Sequence, residues 1–200
     1  MRHIREQGVS EDRSAIIHTY ADFQGTQPVA RASLTTPEGV PVALFLGRLH
    51  EKKGLDTLLD AAARLPDLHV WIAGEGPPEA ELKAQRTRLG LDHRVRFLGW
   101  RNDRGALLAA CDVVVFPSRY ESFGTVTVDA WAASRPLVAK NDVDALAAAL
   151  GRVINDKSLA QKLVAGGRAS YEAQFTKAAF QRDSLACYER VRAHAGPFGC

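Results

Sequence analysis

Val42-Ala43-Leu44-Phe45-Leu46-Gly47-Arg48-Leu49-His50-Glu51-Lys52-Lys53-Gly54 is the stretch that decides the fold. Its first five residues are uniformly apolar, as expected of a strand buried on both faces. Gly47 ends the run. After Gly54, Leu55, Leu58, Leu59, Ala62 and Leu65 recur at helical spacing, and Pro66 follows. The pattern then repeats. His69–Ala73 is a second apolar strand ending at Gly74, and Pro78–Leu89 reads as a charged helix with Gly90 at its end. Val95–Leu98 is a third strand ending at Gly99, followed by a short helix over Asp103–Cys111. Val113–Phe116 is a fourth, closed by Pro117. A helix over Gly124–Ala133 leads to a fifth strand, Pro136–Ala139.

From Asp142 the chain reads as helical. Val143, Leu146, Ala147, Leu150, Val153 and Ile154 form one apolar stripe, and a final helix spans 176–194. Upstream, residues 3–7 read as the end of a helix stopped by Gly8, and Ala15–His18 as a short strand. The Thr-, Pro-, Gly- and Gln-rich run over 23–39 reads as a linker. Five short strands alternating with helices predict an α/β fold, a doubly wound parallel sheet with right-handed crossovers and extra C-terminal helices.

Composition narrows the function. The 200 residues are 46% hydrophobic and 24% charged, with a net charge of +3, close to an average soluble chain. Cys111, Cys187 and Cys200 are far apart and odd in number, so neither a zinc site nor a disulfide framework is indicated. No metal is expected, and a reduced, cytoplasmic setting follows. The scattered basic residues do not suit nucleic acid. Residues 1–15 are charged and lack the apolar core of a signal peptide. No apolar run approaches the length of a spanning helix.

Open α/β sheets bind ligands beyond the carboxyl ends of their strands. At the first end, Arg48 and Lys53 add positive charge beside a helix N-terminus, a combination that suits a diphosphate. Read locally, they are equally well solvated loop charges, and His50 reads as packing or solvated. The second end, Gly74-Glu75-Gly76-Pro77-Pro78, lacks the third glycine of a dinucleotide fingerprint, and there is no Walker-type loop. Its glycines also fit ordinary turns. The fourth end runs Pro117-Ser118-Arg119-Tyr120-Glu121-Ser122-Phe123-Gly124-Thr125, with Asp129 within the following helix. A carboxylate at Glu121 can accept hydrogen bonds from sugar hydroxyls; alternatively it complements the helix N-terminus.

Four motifs, each at a predicted strand end, give this chain a family likeness. They are Gly47-Arg48-Leu49 with Lys53-Gly54; Gly74-Glu75-Gly76-Pro77; Val95–Gly99; and Pro117-Ser118 through Glu121-Ser122-Phe123-Gly124 to Asp129. Together they resemble the C-terminal, donor-binding domain of family-4 retaining glycosyltransferases, which have the two-domain GT-B fold. The resemblance implies a Rossmann-like domain over 41–200, and over 1–40 the tail of an N-terminal domain and a linker.

It implies a reaction too: transfer of a hexosyl group from a UDP- or GDP-sugar, with retention, to a glycan, lipid-linked or small-molecule acceptor. No cofactor beyond that donor is implied. Arg48 and Lys53 match the pair that grips the donor diphosphate, and Glu121 the residue that holds sugar hydroxyls. Gly47, Gly74, Gly76, Ser122, Phe123, Gly124 and Thr125 match positions lining phosphate and sugar. The backbone of Phe97, Leu98 and Gly99 matches the base-binding edge. Asp129 stands where the family usually has a glutamate for the ribose.

The family's N-terminal acceptor domain is the expected partner. The mildly basic balance, pI about 8.9, suits the inner face of an anionic membrane. After Ala139 the family pattern has a glycine-rich loop, a helix and another strand, which implies a segment missing between Ala139 and Lys140, by omission or by deletion. A non-catalytic nucleotide-binding module is the alternative function. The Arg48, Lys53 and Glu121 set argues against an epimerase or phosphatase-like enzyme.

Overall fold

A computed structural model describes residues 6, 14–23, 25–121 and 124–194. Five parallel strands are present: β1 (Val42–Leu46), β2 (His69–Ala73), β3 (Val95–Gly99), β4 (Val113–Val115) and β5 (Leu137–Val138). Their order is β3-β2-β1-β4-β5. β1 is the central strand, in register with β2 from Val42 opposite His69 to Leu46 opposite Ala73. On its other side Ala43 and Leu44 pair with Val113 and Val114.

The helices follow the apolar spacing: α1 (Leu55–Ala63), α2 (Glu79–Arg88), α3 (Arg104–Ala110), α4 (Thr125–Ala132), α5 (Val143–Asn155), α6 (Lys157–Gln174) and α7 (Lys177–His194). Side chains alternate across the sheet. Ala43, Phe45, Val70 and Ile72 pack with Leu58 and Leu59 of α1, Leu82 of α2 and Leu150 of α5. Val42, Leu44, Leu46 and Trp71 pack on the opposite face with Leu107 and Leu108 of α3 and Ala130 of α4. β1 is therefore buried from both sides at all five positions, which is why its sequence is a continuous apolar run.

The expectation of a strand at Ala15–His18 is not met: residues 14–22 carry no strand. They lie across helices, with the His18 ring 4.9 Å from Phe175 and the Tyr171 hydroxyl donating to the Ala21 carbonyl at 2.7 Å. No sheet edge is there to supply a ladder. The helix end expected over residues 3–7 lies outside the described residues, apart from Glu6. Among its described residues the stretch expected as a linker contains a 3-10 turn, Arg31–Leu34, and it is fastened to the sheet. The Arg31 guanidinium donates to the carbonyls of Ala110 and Val40. Buried Thr36 accepts from the Trp71 indole at 2.9 Å. At the far edge, β5 passes into α5 through residues 139–142, where Asp142 caps the helix by accepting from the Ala145 amide at 2.8 Å. Among the described residues no helix is long and apolar enough to cross a membrane.

Backbone contact continues past the strands. The Gly47 amide donates to Ala73, the Gly74 amide to Gly99 and the Leu49 amide to Glu75, at 3.0, 2.7 and 2.9 Å. A Cβ on Gly74 would overlap the Gly47 carbonyl oxygen, and one on Gly76 would overlap that of Leu49. Overpacking against backbone costs about 1–3 kcal/mol. Gly76→Ala should therefore lower the urea midpoint by that equivalent. Gly166→Ala, in α6 with no atom within 4 Å of its added Cβ, should raise stability by about 0.5–1 kcal/mol through helix propensity. Equal effects at both sites would refute the close-approach account.

Candidate functional site

The order β3-β2-β1-β4-β5 reverses direction between β1 and β4, and in open parallel sheets the ligand crevice lies beyond the strand ends at that point. Two loops fill its sides. After β1, His50 starts a 3-10 turn, Glu51–Lys53, and its Nδ1 accepts from the Lys52 amide at 3.1 Å. The accepting Nδ1 leaves the neutral ring its proton on Nε2. Gly54, at φ +66°, ends the turn and leads into α1. A Cβ there would overlap the Pro117 carbonyl oxygen of the second loop. Glycine thus permits the two loops to touch.

Arg48, Lys53 and Glu121 meet at this place. With His50, Lys52 and Tyr120 they line an open cavity of about 220 Å³. The Lys53 ammonium forms an ion pair with the Glu121 carboxylate, both side chains about a quarter exposed. It also lies 5.7 Å from the Phe116 ring centroid. Exposed Tyr120 stands beside Lys52, 5.9 Å from its ammonium. A neighbouring cavity of about 320 Å³ shares His50. It is the larger, but Glu51, Asp56 and Glu81 line it against Arg88 and Arg119, whereas among the described residues Glu121 is the one carboxylate in the smaller. The smaller cavity, with Arg48, Lys52 and Lys53 converging, is the better anion site.

The other predicted residues are distributed as follows. Gly47, Gly74, Gly76 and Gly99 form the backbone floor at the strand ends, and Leu98 packs below it on the α3 side. The Phe97 ring faces α2, with Lys83 and Arg86 each 5.7 Å from its centroid, so only its backbone serves the strand-end edge. Gly124, at φ +71°, caps α4, and Thr125 is exposed at the helix start. Ser122 and Phe123 lie outside the described residues. Asp129 sits in the second turn of α4 as the spacing predicted, but it does not line the cavity. It is buried, with Arg104 of α3 at 3.8 Å.

Sequence reasoning missed Arg119 and Lys52 and left His50 as a solvated or packing residue. The only available signal was their place in the same two loops. Spacing cannot show that the Arg119 guanidinium turns back to α1.

Residues 40–165 match the model of the family described as glycosyl transferases group 1. The chain belongs to this family. Lipopolysaccharide core biosynthesis glycosyltransferase LpsE of Rhizobium meliloti (strain 1021) is 34% identical over 186 residues, 82% of this chain and 55% of the relative. Among solved structures, sucrose-phosphate synthase from Thermosynechococcus elongatus superposes with a TM-score of 0.81 at 26% identity, covering 96% of this chain and 56% of that one. Anabaena Alr3699/HepE in complex with UDP-glucose gives 0.80 at 25%, covering 94% and 61%. The glycosyltransferase domain thus spans a little over half the length of the relatives it matches.

Burial raises the Asp129 carboxyl above its ordinary 3.8, against the pull of Arg104. A folded-state value above the unfolded one means that the native state binds more protons in that window. Stability therefore falls as pH rises through it. Asp129→Asn removes the buried charge. It should raise the melting temperature at pH 7 by a few degrees, with the gain fading as pH falls toward 4. A gain that grows on acidification would contradict this account.

Proposed function

We propose that this domain binds the diphosphate and sugar of a nucleoside-diphosphate sugar, and that it transfers the hexosyl group with retention when paired with an N-terminal acceptor domain. One observation carries the reading: Arg48, Lys53 and Glu121 line one cavity at the point where the strand order reverses. As the glycosidic bond breaks, negative charge grows on the departing diphosphate. Fixed cations in place before the reaction stabilise that charge without a metal. Glu121 accepts hydrogen bonds from donor-sugar hydroxyls. In the free domain Lys53 is held by Glu121, so the donor exchanges one ion pair for two sets of contacts: phosphate to Lys53, hydroxyls to Glu121.

Retention and family-4 membership rest on the resemblance of the four strand-end motifs. A uridine donor is supported by the likeness to HepE, whose structure holds UDP-glucose. A glycan or lipid-linked acceptor fits the role named for LpsE, and the basic balance fits work at the inner membrane face. Asp129, one methylene shorter than glutamate, reaches the ribose through water or through Arg104.

We assign 41–200 to the donor domain and 1–40 to the tail of the acceptor domain and its linker. Two observations support a further domain. The chain spans 55% of LpsE. Leu185, Tyr188 and Val191 also make an exposed apolar stripe on α7, alongside exposed Ile16. Arg190 reaches the Ser14 carbonyl at 3.4 Å, which sets these two segments side by side. By the family pattern, the segment missing between Ala139 and Lys140, by omission or by deletion, would cover the phosphates.

Alone, this chain should bind UDP or GDP and neither hydrolyse nor transfer the donor, because holding both reactants supplies many orders of rate. Arg48→Ala should weaken nucleoside-diphosphate binding about 10- to 100-fold by isothermal titration, the worth of one or two charge-assisted hydrogen bonds. Unchanged affinity would remove Arg48 from the site.

A further inference from the structure

We propose that Arg119 is a positioning residue: it sets the spacing of Lys53 and Glu121 by locking the loop after β4 onto the loop after β1. The inference rests on the donor-binding reading of that cavity.

The two loops run past each other in antiparallel register. Gly54 lies against the Pro117 carbonyl. Two residues further along each chain, the Arg119 amide donates to the Lys52 carbonyl at 2.8 Å. Beyond this pair, Glu121 and His50 both line the cavity. Two backbone contacts over so short a stretch define a register but leave the loop free to hinge. The Arg119 side chain removes that freedom. Its Nη1 donates to the Glu51 carbonyl at 2.6 Å. Its Nη2 donates to Asp56 Oδ2 at 2.6 Å and to Thr57 Oγ1 at 3.1 Å. The guanidinium therefore bridges the 3-10 turn that carries Lys53 and the first turn of α1.

Fold stability does not account for this arrangement. The side chains of Arg119 and Asp56 are 41% and 51% exposed, and ion pairs that open to water add little stability. Burial works to raise the Asp56 carboxyl, and the hydrogen bond and charge of Arg119 outweigh it, keeping the carboxyl below its ordinary value. The pair is thus ionised at neutral pH and directional, on a guanidinium whose planar fork a lysine cannot reproduce. Its effect falls on geometry two residues away, where Glu121 closes on Lys53.

The test uses the 200-residue chain, with UDP and UDP-glucose as probes in isothermal titration. Arg119→Ala should weaken UDP-glucose binding about tenfold while the melting temperature changes little. Arg119→Lys keeps the charge opposite Asp56 and loses the fork, and should recover only part of the affinity. Amide exchange at Lys53 and Gly54, whose amides donate to His50 and Glu51, should speed up in Arg119→Ala.

The deciding measurement is a double-mutant cycle with Lys53→Ala. If Arg119 acts through Lys53, its removal costs far less in the Lys53→Ala background. Additive losses, or exchange rates unchanged in Arg119→Ala, would overturn the proposal. Arg48→Ala separates the two levels of the argument. Affinity lost in Arg48→Ala but kept in Arg119→Ala defeats the positioning role alone. A wild-type chain that binds neither UDP nor UDP-glucose defeats the donor site and the positioning role together.

Discussion

The whole arrangement depends on backbone lying directly against backbone at the carboxyl ends of the central strands. Gly74 sits on the Gly47 carbonyl, Gly76 on that of Leu49 and Gly54 on that of Pro117, each with no room for a Cβ. The first two contacts extend the β1–β2 pairing into the loops. The third joins the loop after β1 to the loop after β4 across the point where strand order reverses. With the bonds of Arg119, it keeps Lys53 and Glu121 close although they sit on separate loops. The glycines therefore matter for what they allow to approach. Gly25, Gly39 and Gly90 also adopt positive φ, but with open space around them; they turn the chain and position nothing.

Electrostatics then sets what the cavity can exchange. A Lys53–Glu121 pair a quarter exposed on each side gains a modest amount, on the order of 1 kcal/mol or less for pairs open to water. A ligand that offers Lys53 an anion and Glu121 hydroxyl donors gives each a charge-assisted partner, worth about 1.5–3 kcal/mol apiece. Separating the pair is thus cheap relative to what replaces it. A fully buried pair would resist separation, because stranding one charge in the interior costs several kcal/mol. The partial exposure suits a site that must open.

The reasons for what was legible in the sequence are local. Strands buried on both faces must be apolar at every position, so Val42–Leu46 and His69–Ala73 stood out, and glycines marked where each stopped. The helix over Thr125–Ala132 and the place of Asp129 in its second turn followed from spacing. Strand order did not, because periodicity reports which face is buried and not which neighbour buries it. Ala15–His18 looked like a strand because Ala15, Ile16 and Ile17 are apolar, but both isoleucines are exposed, and the neighbouring His18 and Tyr20 rings lie against Phe175 and Phe180. The Asp129–Arg104 pair joins residues 25 apart on different helices. The bonds of Arg119 run to positions more than 60 residues earlier. Such contacts are products of the topology, so only the folded chain displays them.

In the proposed function, the same topology separates donor binding from turnover. Every side chain lining the cavity comes from one of two adjacent loops, and those loops are fastened to each other by Gly54 and Arg119, within this domain. The proposed grip on the diphosphate and sugar therefore lies within this domain and can be set before any acceptor arrives. A rigid half-site suits this division of labour, since preorganised charge stabilises a departing diphosphate only if it does not relax away from it. Under the proposed function, the second reactant would come from the further domain, leaving the geometry of Arg48, Lys53 and Glu121 to this one.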